Sequence, residues 1–106
     1  MEIDTVLAAL ADPTRRAIFE SVRHGPRSVG DIAGKFDVSR PAVSQHLRVL
    51  ANAQLVRPHR SGRNNYYGLD LHGLTLLRNY VESFWDDVLG AFQAAAVRDS
   101  KKKGAS

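Results

Sequence analysis

The sequence predicts a mainly helical domain carrying one small two-stranded β-hairpin. Apolar residues recur at three- and four-residue spacing through most of the chain, the period of amphipathic helices. Asp12, Ser28 and Ser39 each stand at the head of such a stretch, where a short polar side chain caps a helix. Between 55 and 69 the pattern changes to two extended runs around Ser61-Gly62-Arg63-Asn64, residue types that suit a tight turn.

Taken in order, Ile3, Val6, Leu7 and Leu10 share one face and predict a short first helix. Asp12-Pro13 restarts the chain, with aspartate as cap and proline at the first helical position. Ile18, Phe19 and Val22 give that second helix its apolar stripe, and His24-Gly25-Pro26 follows its end near Arg23. Ser28 caps a third helix, with Asp31 three positions on as in a capping box, and Val29, Ile32, Ala33 and Phe36 turned inward. Asp37-Val38 turns the chain, and Ser39 caps a fourth helix over 39–52 with Val43, Leu47 and Leu50 inside. Two short helices joined by such a turn make a helix-turn-helix. Leu55 to Arg60 and Asn65 to Leu69 are the strands of a wing over 56–68, and Pro58 confines its strand to an edge or a bulge. A last helix opens near Leu71 or His72, with Asp70 as cap, and continues to about Val97. The architecture implied is a winged helix-turn-helix domain over 1–97, followed by a basic disordered tail over 98–106 that contains Lys101 to Lys103.

The charge is unevenly placed. From Val38 to Leu69 there is no aspartate or glutamate, yet there are five arginines and two histidines. The chain has 15 Lys and Arg against 11 Asp and Glu, so outside this block ten basic residues face all 11 acids. Concentrated positive charge without compensating acids is the footprint of a surface that lies on phosphates. Absence of cysteine removes disulfides, thiolate metal sites and thiol redox sensing together. No apolar run approaches the roughly 20 residues of a membrane span, and the N-terminus lacks signal-peptide character, so a cytoplasmic protein with no membrane partner is expected.

With Val43, Leu47 and Leu50 inside, the fourth helix turns Arg40, Pro41, Ser44, Gln45 and Arg48 outward behind its cap, Ser39. A helix of this kind fits the major groove of double-stranded DNA. Gln45 suits a two-pronged contact with adenine, Ser44 addresses most bases or a phosphate, and Pro41 offers an apolar contact for a thymine methyl. Arg40 suits a guanine or a phosphate, and Arg48 a phosphate. Half of the His46 ring is expected to pack on the preceding helix. Arg60 and Arg63 equip the wing for the backbone or the minor groove. Of Tyr66 and Tyr67, one should pack inward and the other reach a phosphate; Tyr67 is included among the expected DNA contacts.

Leu10-Ala11-Asp12-Pro13-Thr14-Arg15-Arg16, then Ser39 through Leu50, then Leu55-Val56 and Gly62 through Tyr67, together resemble the ArsR/SmtB-type regulators. The resemblance covers about residues 5–90 and implies a homodimeric transcriptional repressor that leaves its operator when an inducer binds, and that commonly represses its own gene. The family's thiolate site has no counterpart, because Arg27 to Asp31 stand where its cysteines would. Its second metal site, across the paired last helices, is matched by Asp70, His72 and Asp86, but Ser83 stands where a histidine is needed. The expected reading is therefore no metal and no cofactor, with Asp70 as a helix cap and the inducer unspecified.

The last helix shows Leu74, Leu77, Val81, Phe84, Trp85, Val88 and Phe92 along some five turns, more apolar surface than one small domain buries internally. Together with Ile3, Val6 and Leu7 of the first helix it is expected to form the dimer. No nucleophile–base pair or glycine-rich phosphate loop suggests an enzyme. The competing class is a winged-helix module that binds an acidic protein surface through the same arginines.

Overall fold

The computed structural model describes the backbone of residues 2–105 and the side chains of residues 2–98. Helices α1 (Ile3–Ala11) and α2 (Pro13–Ser21) lead into a short strand β1 (Arg27–Ser28). The pair α3 (Val29–Phe36) and α4 (Arg40–Asn52) comes next, then the hairpin β2 (Val56–Ser61) and β3 (Asn64–Leu69), and last α5 (Leu71–Ala105). The disordered tail expected over 98–106 is corrected up to Ala105, where the backbone continues α5 beyond its expected end near Val97; the side chains from 99 onward lie outside the described residues.

The caps act where the sequence placed them. Asp12 accepts from Arg15 N at 2.9 Å, Ser28 from Asp31 N at 3.1 Å and Ser39 from Ala42 N at 3.2 Å. Each satisfies an amide that the first turn of a helix otherwise leaves without a partner. The stretch Asp12 to Arg16 also closes the preceding helix. Arg15 donates to the carbonyls of Ala9 at 2.5 Å and Ala8 at 3.0 Å, and Arg16 to that of Leu10 at 3.1 Å. One short motif thus ends α1 and starts α2. Helix α2 stops at Ser21, two residues before the expected end.

The core is built on α4. Val43, Leu47 and Leu50 are fully buried, packed with Ile18 of α2 and Val22 just past its end, Ile32 of α3, and Leu55 and Val56 beyond α4. Each such side chain contributes about 1.5–3 kcal/mol by leaving water. Val6 is fully buried in the same cluster, which corrects its expected place in a dimer stripe: a side chain enclosed by its own protomer has no surface to offer a second one.

The sheet has three strands, in the order β1-β3-β2, and not the expected two. Arg27 pairs with Tyr67 and Ser28 with Tyr66, so β1 anchors the base of the wing to the head of α3. Its two residues are too few to show any alternation in the sequence. Pro58 lies on β2, an edge strand, where its missing N–H costs no ladder bond. The hairpin closes Ser61 against Asn64 through a two-residue turn in which Gly62 takes φ +62°. Tyr67 packs against the core, which corrects its placement among outward contacts, and Tyr66 stands on the other face of the strand.

Helix α5 starts by docking on the end of α4. Gln54 takes the left-handed conformation at φ 55°, and its carbonyl accepts from Gly73 N at 2.8 Å. Asp70 N donates to the Leu55 carbonyl at 3.0 Å. Leu74, Leu76 and Leu77 then pack on the core, and α5 runs against α1. No helix among the described residues is long and apolar enough to cross a membrane.

Candidate DNA interface

The arginines of this chain fall into two groups by what their guanidinium groups do. Arg15, Arg16 and Arg27 donate to backbone carbonyls at helix ends, Arg27 to Ser21 O at 2.7 Å. Arg40, Arg48, Arg57, Arg60 and Arg63 make no such bond among the described residues, and no carboxylate there lies within ion-pairing distance of them. All five are exposed. They are the five arginines of the acid-free block, and their donors are unspent.

These side chains hang on rigid supports. Helix α4 has 13 residues, about 20 Å of helix, and its inner face is locked into the core. Its outer residues Arg40, Pro41, Ser44, Gln45 and Arg48 are exposed, as is the cap Ser39. The turn into α4 is held by Asp37 in the left-handed conformation, φ 52°, whose N–H bonds to the Ala33 carbonyl. Arg60 and Arg63 stand on and beside the hairpin turn. Arg40 and Ser44 line a common cleft with Arg63, Asn64 and Asn65, so α4 and the wing face one space. Asn65 was absent from the expected contacts, because its chemistry is unremarkable until the hairpin turns it toward α4.

His46 is half-buried and acts on Asp12, the cap of α2. Asp12 is held below the ordinary carboxylate value chiefly by the N–H of Arg15, with the charges of Arg15 and His46 adding to it.

Asp70 caps α5. It accepts from His72 N at 3.0 Å and pairs with His72 Nδ1 at 2.7 Å. Those contacts, the backbone one first, hold its carboxyl below the usual value. Asp86 lies 14 residues after His72 on one helix, about 21 Å along its axis, so these side chains form no cluster in one protomer.

Beyond Leu77 the apolar stripe of α5 leaves the core. Val81, Phe84, Trp85, Val88, Leu89 and Phe92 are between 45% and 73% exposed, and Leu7 on α1 is 38% exposed. Phe84 is braced by Tyr80, edge to face, with ring centroids 5.1 Å apart. Ile3, Leu74 and Leu77 are only half-buried against the core, so they border the exposed stripe.

A helix-turn-helix with a basic outer face beside an arginine-bearing wing defines a winged-helix regulator of the DNA-binding class. Residues 12–57 match the family described as bacterial regulatory protein, arsR family. The chain is 48% identical over 89 residues to the HTH-type transcriptional regulator Rv2034 of Mycobacterium tuberculosis, covering 84% of this chain and 83% of that one. It is 37% identical over 82 residues to the transcriptional repressor SdpR of Bacillus subtilis, covering 77% and 91%. Among solved structures it is similar to a possible transcriptional regulator for arsenical resistance, with TM-score 0.69, 45% identity and coverage of 84% and 93%. It is also similar to the homodimeric winged helix-turn-helix DNA-binding domain Mb0332 of Mycobacterium bovis, with TM-score 0.66, 27% identity and coverage of 80% and 79%. This chain belongs to the ArsR family of transcriptional regulators.

Proposed function

We propose that the protein is a homodimeric repressor that binds a palindromic operator, laying one α4 in each of two successive major grooves and resting each wing on the adjacent backbone. The observation that carries this reading is a set of exposed arginines with no protein partner among the described residues, Arg40 and Arg48 on α4 and Arg60 and Arg63 at the wing, beside an outer face that also exposes Ser44 and Gln45. Gln45 and Ser44 read base edges; Arg48, Arg60 and Arg63 hold phosphates; Pro41 touches a thymine methyl. The dimer is supported by the stripe from Val81 to Phe92, which one protomer leaves uncovered, together with Leu7. Two recognition helices about 34–36 Å apart then meet two half-sites one turn apart. The protein acts by binding DNA inside the cell, and no chemical step is required of it.

Enrichment of duplexes from a random pool tests this reading. Gln45→Ala should relax discrimination at one base pair per half-site by about 1–3 kcal/mol. Arg63→Ala should weaken all duplexes alike and lower the salt slope by about 1 per protomer. Equal loss on enriched and random duplexes for Gln45→Ala would contradict the assignment.

A further inference from the structure

Gly30 is the second residue of α3, a position where alanine is the better helix former. A Cβ there would stand 3.0 Å from Nη2 and 3.4 Å from Cζ of Arg40. The guanidinium of Arg40 therefore lies against the first turn of α3, on one side of α4 and not straight out from it. It lines a cleft of about 590 Å³ together with Ser44 and, from the wing, Arg63, Asn64 and Asn65. Among the described residues none of these side chains donates a hydrogen bond to another protein group. Asp31 also lines the cleft, which leaves two guanidinium charges against one carboxylate.

We infer that this cleft grips a single phosphodiester of the DNA backbone, with Arg40 and Arg63 donating to its oxygens from opposite elements and Gly30 as the positioning residue that lets Arg40 lie there. The inference rests on the DNA-binding reading above and makes it specific: Arg40 is a backbone contact and not a base reader. Guanidinium groups match phosphate oxygens in charge and fork geometry. A phosphate held between α4 and the wing fixes the register of the recognition helix, so that Gln45 and Ser44 meet the same base edges each time.

A duplex enriched by this protein is made with single uncharged methylphosphonate linkages, one position at a time. One linkage per half-site should weaken the wild type by about tenfold, the loss of a charge-assisted contact, and should weaken Arg40→Ala or Arg63→Ala no further. Gly30→Ala should melt at or above the wild-type temperature yet bind several-fold more weakly. In the Arg40→Ala background it should have no effect on binding. The inference is overturned if no linkage couples to both arginines, if Arg40→Ala changes base preference, or if the Gly30→Ala loss persists without Arg40. A rise in melting temperature with inorganic phosphate at constant ionic strength, abolished by Arg40→Ala, would assign the cleft to a free anion and overturn the backbone role. If no duplex is enriched at all, the DNA-binding reading itself fails, an outcome distinct from these.

Discussion

Replacing Gly73 by alanine tests the joint between the recognition helix and the last helix. A Cβ at this position would stand 2.6 Å from the Ala53 carbonyl oxygen, 2.7 Å from that of Gln54 and 3.0 Å from the Gln54 carbonyl carbon. All three are backbone atoms, so no side chain can swing aside. Helix α5 must retreat by about half an ångström or more, straining the 2.8 Å bond from Gly73 N to Gln54 O and the 3.0 Å bond from Asp70 N to Leu55 O. Overpacking of this kind costs about 1–3 kcal/mol, and a lost hydrogen bond a further 0.5–1.5 kcal/mol or so. Alanine recovers about 1 kcal/mol of helix propensity. The net loss is about 1–3 kcal/mol, a fall in melting temperature of roughly 4–8 °C per kcal/mol for a domain of this size. Urea unfolding followed by circular dichroism measures it, at fixed protein concentration so that any self-association contributes equally to every variant. Gly34→Ala is the control: a Cβ there meets nothing within 4 Å, so the same exchange should stabilise by about 0.5–1 kcal/mol. If Gly73→Ala matches Gly34→Ala, the close contact at the end of α4 does not govern the position of α5.

Two further outcomes follow from the same structure. Val88→Asp places a charge in the exposed stripe of α5; it should weaken self-association at least about a hundredfold while helical circular dichroism is retained. Sedimentation showing wild-type monomers at tens of micromolar, still tight on an enriched palindrome, would refute the dimer. The lowered pKa of Asp12 adds stability that is complete above its ordinary value of 3.8 and is lost as pH falls through the lower folded-state value. Asp12→Asn keeps a capping acceptor but cannot titrate, so its urea midpoint should fall less steeply than that of the wild type below about pH 4. Parallel curves would show that Asp12 does not contribute to acid sensitivity.

The sequence alone determined the features whose causes lie within three or four residues of one another. Asp12, Ser28, Ser39 and Asp70 bond to amides two or three positions ahead, so the starts of α2, α3, α4 and α5 were legible. The inward face of α4 followed from the spacing of Val43, Leu47 and Leu50, and the outward arginines from what that spacing left over. Tertiary structure decided whatever depends on atoms far along the chain. Val6 and Leu7 are adjacent and both apolar, yet packing enclosed the first and left the second 38% exposed. Tyr66 and Tyr67 are chemically alike, and only the register of β3 with β1 and β2, together with the position of the core, sent Tyr67 inward. Strand β1 exists because β3 lies beside it, not because two residues prefer to be extended. Gly30 and Gly73 look like any helical glycine until Arg40 and the end of α4 arrive against them, which only the folded chain brings about.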